Sequence, residues 1–259
     1  MKETGSIALV TGVSRPEGIG TAVCRALAGA GMDVFFTHWG AFDEKEGNGA
    51  APGWPDRLAR ELAASGARAA HMEADLADPA SPAAILDAAA EAFGQSPSVL
   101  VNNAAYERHA DFRELNADIL DRHHAVNVRG TVLLSTEFAK RLESGHPPQT
   151  QGRIVFLVSK GPDPANLAYI AAKGAVIGII EPLSVALAPL GITVNGFDPG
   201  PTDTGWIGEE LRERLLPLFP MGRIGTPEDA ARGIAFLAGE ASGWITGQVI
   251  RSEGGFLGK

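Results

Sequence analysis

Tyr169 and Lys173 stand four residues apart in a helix-forming run of this 259-residue chain, a spacing that puts both side chains on one helix face. A phenol with a pKa near 10 is a poor acid or base at neutral pH unless a neighbouring cation favours its phenolate. Lys173 can supply that charge, and a phenol so tuned can pass a proton to or from a substrate oxygen. The same spacing also fits a half-buried tyrosine beside a solvated lysine. The assignment therefore rests on the elements that would position the pair.

Ile7-Ala8-Leu9-Val10 is a short apolar run of the kind buried on both faces of a parallel sheet, and residues 11–20 follow as a glycine loop opening a helix that runs to about Ala28. Glycines let a backbone pass close to a pyrophosphate, and a helix N-terminus offers free N–H groups and partial positive charge. Further strands are expected over residues 32–37, 67–73, 98–101, 153–158, 192–197 and 248–250. Helices are expected over residues 56–65, 79–93, 116–144 and 227–238, besides the one carrying Tyr169 and Lys173. Residues 40–55, rich in glycine and turn formers, read as a surface loop. This alternation argues for one α/β domain over residues 1–259, a doubly wound, mostly parallel seven-stranded sheet with helices on both faces. Gly12, His38, Asp75 and Asn103 then converge beyond the carboxyl ends of the strands, where such sheets bind ligands.

The end of the second strand is where such a fold discriminates the adenosine ribose, an acid favouring NAD and a nearby arginine favouring NADP. His38 and Trp39 hold that position and Arg15 lies in the glycine loop, so NADP(H) is favoured over NAD(H). Asp43, Glu44 and Glu46 would oppose a 2′-phosphate if their loop folds back. Pro182 should kink its helix. Residues 206–221, within a lid-like segment of about 201–222, are either a lid over a substrate or a plain surface helix. His123 and His124 are helix neighbours about 100° apart, which excludes a shared metal ion and leaves packing or solvated histidines.

A net charge of −9 argues against a nucleic-acid partner. The lone cysteine, Cys24, reads as a packing residue on a buried helix face. The opening residues run into Ile7 with too short an apolar stretch for a signal segment, and no apolar run approaches membrane-spanning length. A soluble, cytoplasmic chain with no membrane partner is the expectation.

Taken in order, Thr11-Gly12 with Gly18-Ile19-Gly20, Asp75-Leu76, Asn102-Asn103-Ala104-Ala105, Asn127, Ser159, Tyr169 with Lys173, Pro199-Gly200 with Thr202, and Thr246-Gly247-Gln248-Val249 resemble the short-chain dehydrogenase/reductase family over nearly the whole chain. The tail and lid look most like its 3-oxoacyl-carrier-protein reductase and small carbonyl reductase branch. The resemblance implies a single-domain Rossmann fold and hydride transfer between NADP(H) and a small or medium carbonyl or alcohol. Tyr169 would be the general acid/base, Lys173 would stabilise the phenolate and hold the nicotinamide ribose, and Ser159 would polarise the substrate oxygen. Asn127 would position a water beside Lys173. Gly12, Ser14, Arg15, Gly18, Ile19, Gly20 and His38 would meet the phosphates and ribose. Asp75 and Leu76 would meet the adenine, Asn103, Ala104 and Ala105 the adenosine side, and Pro199, Gly200, Thr202 and Thr204 the nicotinamide. No metal is implied, and a homotetramer or dimer is.

Three departures stand out. Pro16 and Glu17 extend the glycine loop, Ala105 replaces the usual glycine, and Ser159 lies only ten positions before Tyr169, about three fewer than the family places there. Either the intervening loop is shortened and Ser159 keeps its role, or the usual serine is lost; the first is favoured because Ser159 ends the strand directly. A catalytically impaired dinucleotide-binding sensor or assembly subunit is the competing function.

Overall fold

The computed structural model describes residues 5–45, 51–145 and 151–258. Seven strands form one sheet in the order β3-β2-β1-β4-β5-β6-β7, and every neighbouring pair is parallel. The strands are β1 Ile7–Val10, β2 Asp33–His38, β3 Ala69–Glu73, β4 Val99–Asn102, β5 Gly152–Leu157, β6 Ile192–Asp198 and β7 Val249–Arg251. The order reverses direction between β1 and β4, which opens the crevice typical of doubly wound sheets at their carboxyl ends.

Alternation along β1 shows how the core is divided. Ala8 and Val10 pack into one layer with Val23, Leu27 and Ile234, while Ile7 and Leu9 pack into the other with Ile85, Phe138, Val176 and Ile180. The first layer is covered by α1 (Ile19–Gly29), α3 (Trp54–Ala64) and α9 (Pro227–Ala238). The second is covered by α4 (Ser81–Phe93), α6 (Thr131–Gly145) and α7 (Leu167–Leu187). Cys24 is fully buried on α1, and burial pushes its thiol far above the ordinary range, so packing is its part in the fold.

Residues 40–55 are not simply a surface loop. Gly40–Lys45 form a short helix, α2, and α3 already begins at Trp54; Glu46 and the rest of 46–50 lie outside the described residues. Aromatic partners decide this. Phe42 meets the Tyr106 ring at a centroid separation of 5.3 Å, and the buried Trp54 donates its Nε1–H to Thr21 Oγ1 at 3.2 Å.

The long helix expected over residues 116–144 is interrupted. α5 (Ala117–His123) passes into a π-helical stretch, His124–Gly130, before α6. Leu76 fixes this stretch from the other side: a Cβ on Gly130 would come within 2.3 Å of the Leu76 carbonyl oxygen. His123 is buried with its ring edge against Tyr106, and His124 is exposed, the packing and solvated pair expected.

α7 runs unbroken past Pro182 to Leu187. With its 3₁₀ extension, Leu167–Leu190, it is long and apolar enough to cross a membrane, with a mean hydropathy of 1.7, contrary to the expectation of no such run. Here it packs along β6 and buries Lys173, as a core helix does. The lid-like segment holds α8 (Glu209–Leu215) and a 3₁₀ turn, Leu216–Leu218. A small apolar cluster of Ile207, Phe219, Ile224 and Phe256 ties it to the C-terminal tail.

Candidate active site

A cleft of about 1320 Å³ runs along the carboxyl ends of the strands. The glycine loop forms part of its wall. Gly12 takes a φ of +74°, and a Cβ there would strike Ala104 Cα at 2.6 Å, so this turn between β1 and α1 must be glycine. Thr11 Oγ1 accepts from the N–H groups of Asn103 and Ala104, and Asn103 Nδ2 donates to the carbonyls of Thr11 and Gly12 at 2.8 and 2.9 Å. The Asn103 amide therefore stitches the ends of β1 and β4 together. α1 opens at Gly18, whose φ of −74° and ψ of 152° are extended and which makes no side-chain cap, so the first N–H groups of α1 are left for an anion. That geometry fits a dinucleotide pyrophosphate.

Every predicted cofactor residue lines the cleft: Gly12, Ser14, Arg15, Gly18, Ile19, Gly20, His38, Asp75, Leu76, Asn103, Ala104, Ala105, Lys173, Pro199, Gly200, Thr202 and Thr204. The glycine-loop extension reaches across it, for Arg15 Nη1 donates to the Thr204 carbonyl at 3.4 Å. Asp75 Oδ1 accepts from Ala77 N, closing a tight turn after β3. Gly200, at φ +61°, abuts Glu253 below the start of the lid-like segment.

Ser159, Tyr169 and Lys173 share the cleft wall. Tyr169 is half-buried, while Lys173 is 4% exposed, and its Nζ donates to the Leu157 carbonyl at 2.8 Å and lies 5.5 Å from the centre of the Tyr169 ring. Burial lowers the Lys173 pKa to about 8, against the Glu107 charge, which raises it. Tyr169 is pushed well above the ordinary phenol range by burial first, and then by the Glu107 and Asp198 carboxylates. The lysine was expected to favour the phenolate; here burial and two carboxylates act the other way.

Asn127 is not part of the cleft wall. It is buried, its Oδ1 accepts from Tyr106 N at 2.7 Å, and its Nδ2 donates to Tyr106 O at 2.8 Å. The π-helical stretch thus uses its asparagine to hold the backbone on which the next residue, Glu107, enters the cleft. Glu107 and Asn166 were missed at the sequence level. Asn166, the residue preceding α7, donates from Nδ2 to Glu107 Oε1 at 2.5 Å, and both line the cleft. Glu107 belongs to the long connection between β4 and α5, where no periodic pattern points to a face. Asp43 is not a loop charge: α2 turns it inward to 8% exposure in the cleft wall.

The family model described as enoyl-(acyl carrier protein) reductase matches residues 12–257. A short-chain dehydrogenase/reductase from Serratia marcescens BCRC 10948 superposes with a TM-score of 0.83 at 32% identity, over 98% of this chain and 100% of that one. The chain belongs to the short-chain dehydrogenase/reductase family. Among further members, the uncharacterized oxidoreductase YjdA of Bacillus subtilis (strain 168) is 46% identical over 97% of this chain and 96% of its own length. An Arabidopsis thaliana protein named NADPH-dependent aldehyde reductase-like protein, chloroplastic, is 32% identical over 98% of this chain and 94% of its own. A blue fluorescent protein from a metagenomic library, solved in complex with NADPH, has a TM-score of 0.84 at 32% identity, with 99% of each chain covered. As a short-chain dehydrogenase/reductase the chain is an oxidoreductase that uses a nicotinamide dinucleotide and a small-molecule substrate.

Proposed function

We propose that this short-chain dehydrogenase/reductase reduces small or medium carbonyls, or oxidises the corresponding alcohols, with NADP(H) preferred over NAD(H). The reading is carried by the placement of Tyr169 and Lys173 on one face of α7 in the wall of a cleft that the glycine loop also lines. A bound nicotinamide dinucleotide supplies or accepts the hydride. Tyr169 gives its proton to the carbonyl oxygen, or takes it from the alcohol in reverse. Burial that keeps the phenol protonated suits the reductive direction. Lys173, anchored on the Leu157 carbonyl, holds positive charge beside the ring and would hold the nicotinamide ribose. Ser159 donates to the same substrate oxygen. Arg15 in the cleft wall supports NADP(H), as do the two NADPH-associated relatives. A free small molecule is favoured over an acyl carrier protein, itself acidic, because the chain carries a net charge of −9.

The test is steady-state oxidation of NADPH, with NADH in parallel, against a panel of ketones, aldehydes and a 3-oxoacyl thioester. Turnover with a higher kcat/KM for NADPH supports the reading; binding of both nucleotides with no turnover on any carbonyl would overturn it. Ser159→Ala should lower kcat on the order of 10²-fold, the usual cost of losing one donor to a developing oxyanion. Unchanged turnover in that variant would remove Ser159 from the mechanism and assign the short loop's serine to structure alone.

We also expect a homo-oligomer formed through the helices around Asn127 and Lys173 and through the C-terminal strand. Leu120 on α5, Leu133 on α6 and Val185 on α7 are exposed large apolar side chains on those helices. Light scattering at micromolar concentration should give a multiple of the 27.0 kDa chain mass; a monomer would count against it.

A further inference from the structure

His38, at the tip of β2, lines the cleft, and behind it runs a chain of polar contacts. His38 Nε2 lies 3.2 Å from His71 Nδ1 on β3, and His71 Nε2 lies 3.3 Å from Asp56 Oδ1 on α3. When His71 is neutral and donates to the Asp56 carboxylate, its Nδ1 accepts from His38 Nε2–H. His38 Nδ1 then carries a lone pair and has no hydrogen-bond partner among the described residues.

Asp43 on α2 belongs to the same subsite: it is 8% exposed and lines the cleft with Ser14, Arg15, His38 and Trp39. The groups facing this pair are Arg15 and Ser14 from the glycine loop, Glu73 and His71 from β3, and Asp56 from α3. Glu73 is engaged with α2, accepting from Gly40 N at 3.1 Å. Burial raises the Asp43 carboxyl, against Ser14, Arg15 and His38; burial and His71 lower the imidazole of His38, against Glu73, Asp56 and Asp43.

We propose that Asp43 and His38 read the substituent on the adenosine ribose 2′ carbon, so that NADP(H) binds together with a proton and NAD(H) binds without one. The inference rests on the cofactor reading above. An ionised Asp43 and a neutral His38 present only acceptors to the ligand, which suit the 2′-hydroxyl of NAD(H) and repel a 2′-phosphate. One proton on either residue converts an acceptor into a donor beside the fixed charge of Arg15, which suits the phosphate. The preference for NADP(H) is therefore strongest in mild acid and declines as pH rises.

Fluorescence titration of the full chain with NADPH and with NADH between about pH 6 and about pH 8.5 tests this. The NADPH dissociation constant should rise by about tenfold per pH unit over the interval in which one proton is taken up, while that of NADH stays within about threefold. The phosphate's own second proton, lost near pH 6, could give the same trend, so phosphorus NMR of bound NADPH separates the sources: a 2′-phosphate that stays dianionic across the range places the proton on the protein, and a monoanion overturns the inference. Asp43→Asn should strengthen NADPH binding at the alkaline end, and His38→Asn should flatten the dependence. NADPH binding that is flat, or that tightens with rising pH, would overturn the inference and leave the cofactor reading standing. Failure of both nucleotides to bind at every pH would remove both.

Discussion

Replacing Tyr169 by phenylalanine is expected to lower kcat for carbonyl reduction by about 10³-fold or more, toward the upper range for loss of a positioned general acid. The substitution removes one oxygen and keeps the ring. The apolar contacts of α7 persist, as does the Lys173 Nζ to Leu157 carbonyl bond at 2.8 Å. The NADPH dissociation constant should therefore stay within about twofold of the parent value, because a loss confined to the transition state lowers kcat and kcat/KM together. Steady-state kinetics with a parallel binding titration checks both halves. A variant retaining a tenth of the parent kcat would assign the proton to another group, Glu107 or His109 in the same cleft wall.

The second large effect concerns Lys173, whose replacement by methionine should abolish most activity and stabilise the protein. Its pKa falls from 10.5 to about 8 because the ammonium is buried, and that depression is a cost to the folded state. Where the folded pKa lies below the unfolded one, the unfolded chain binds more protons between the two values. Stability contributed by this site is therefore lowest below about pH 8 and rises as pH climbs from about 8 towards 10.5. At about 1.4 kcal/mol per unit, the penalty near neutrality is roughly 3 kcal/mol before crediting the bond to Leu157. Lys173→Met, similar in volume and uncharged, should recover about 1–2 kcal/mol in denaturant unfolding at pH 7 and remove the alkaline rise. Its kcat should drop by about 10²-fold or more, since no positive charge remains beside Tyr169. In the parent, carbonyl reduction should decline above about pH 8 as Lys173 gives up its proton. A variant less stable than the parent at pH 7 would show that the Leu157 hydrogen bond outweighs desolvation.

A gain in stability from deleting the most buried cation in the cleft would fit a general pattern, in which active sites hold groups that the fold alone would not choose. The same pattern describes Asp43, a carboxylate turned inward by α2 in a wall otherwise suited to an anion.

Much of this molecule is legible along the chain because the signals are local. Buried strands such as Ile154-Val155-Phe156 are continuous apolar runs, Gly94 ends α4 in the left-handed conformation, and Tyr169 and Lys173 share a face simply because a helix repeats every 3.6 residues. The alternation of those elements dictates a parallel doubly wound sheet, and the sheet dictates that the glycine loop, His38, Asp75 and Asn103 meet at its carboxyl edge. What the tertiary structure alone decides is which side chains arrive there from segments with no period of their own. Asp43 comes inward because Phe42 found Tyr106, Glu107 because Asn127 in a π turn grips the Tyr106 backbone, and His71 backs His38 because β3 pairs with β2 in that register. Periodicity fixes the faces of an element from covalent geometry, whereas the approach of two loops depends on contacts between residues far apart in the chain, and the charges that tune this cleft are of that second kind.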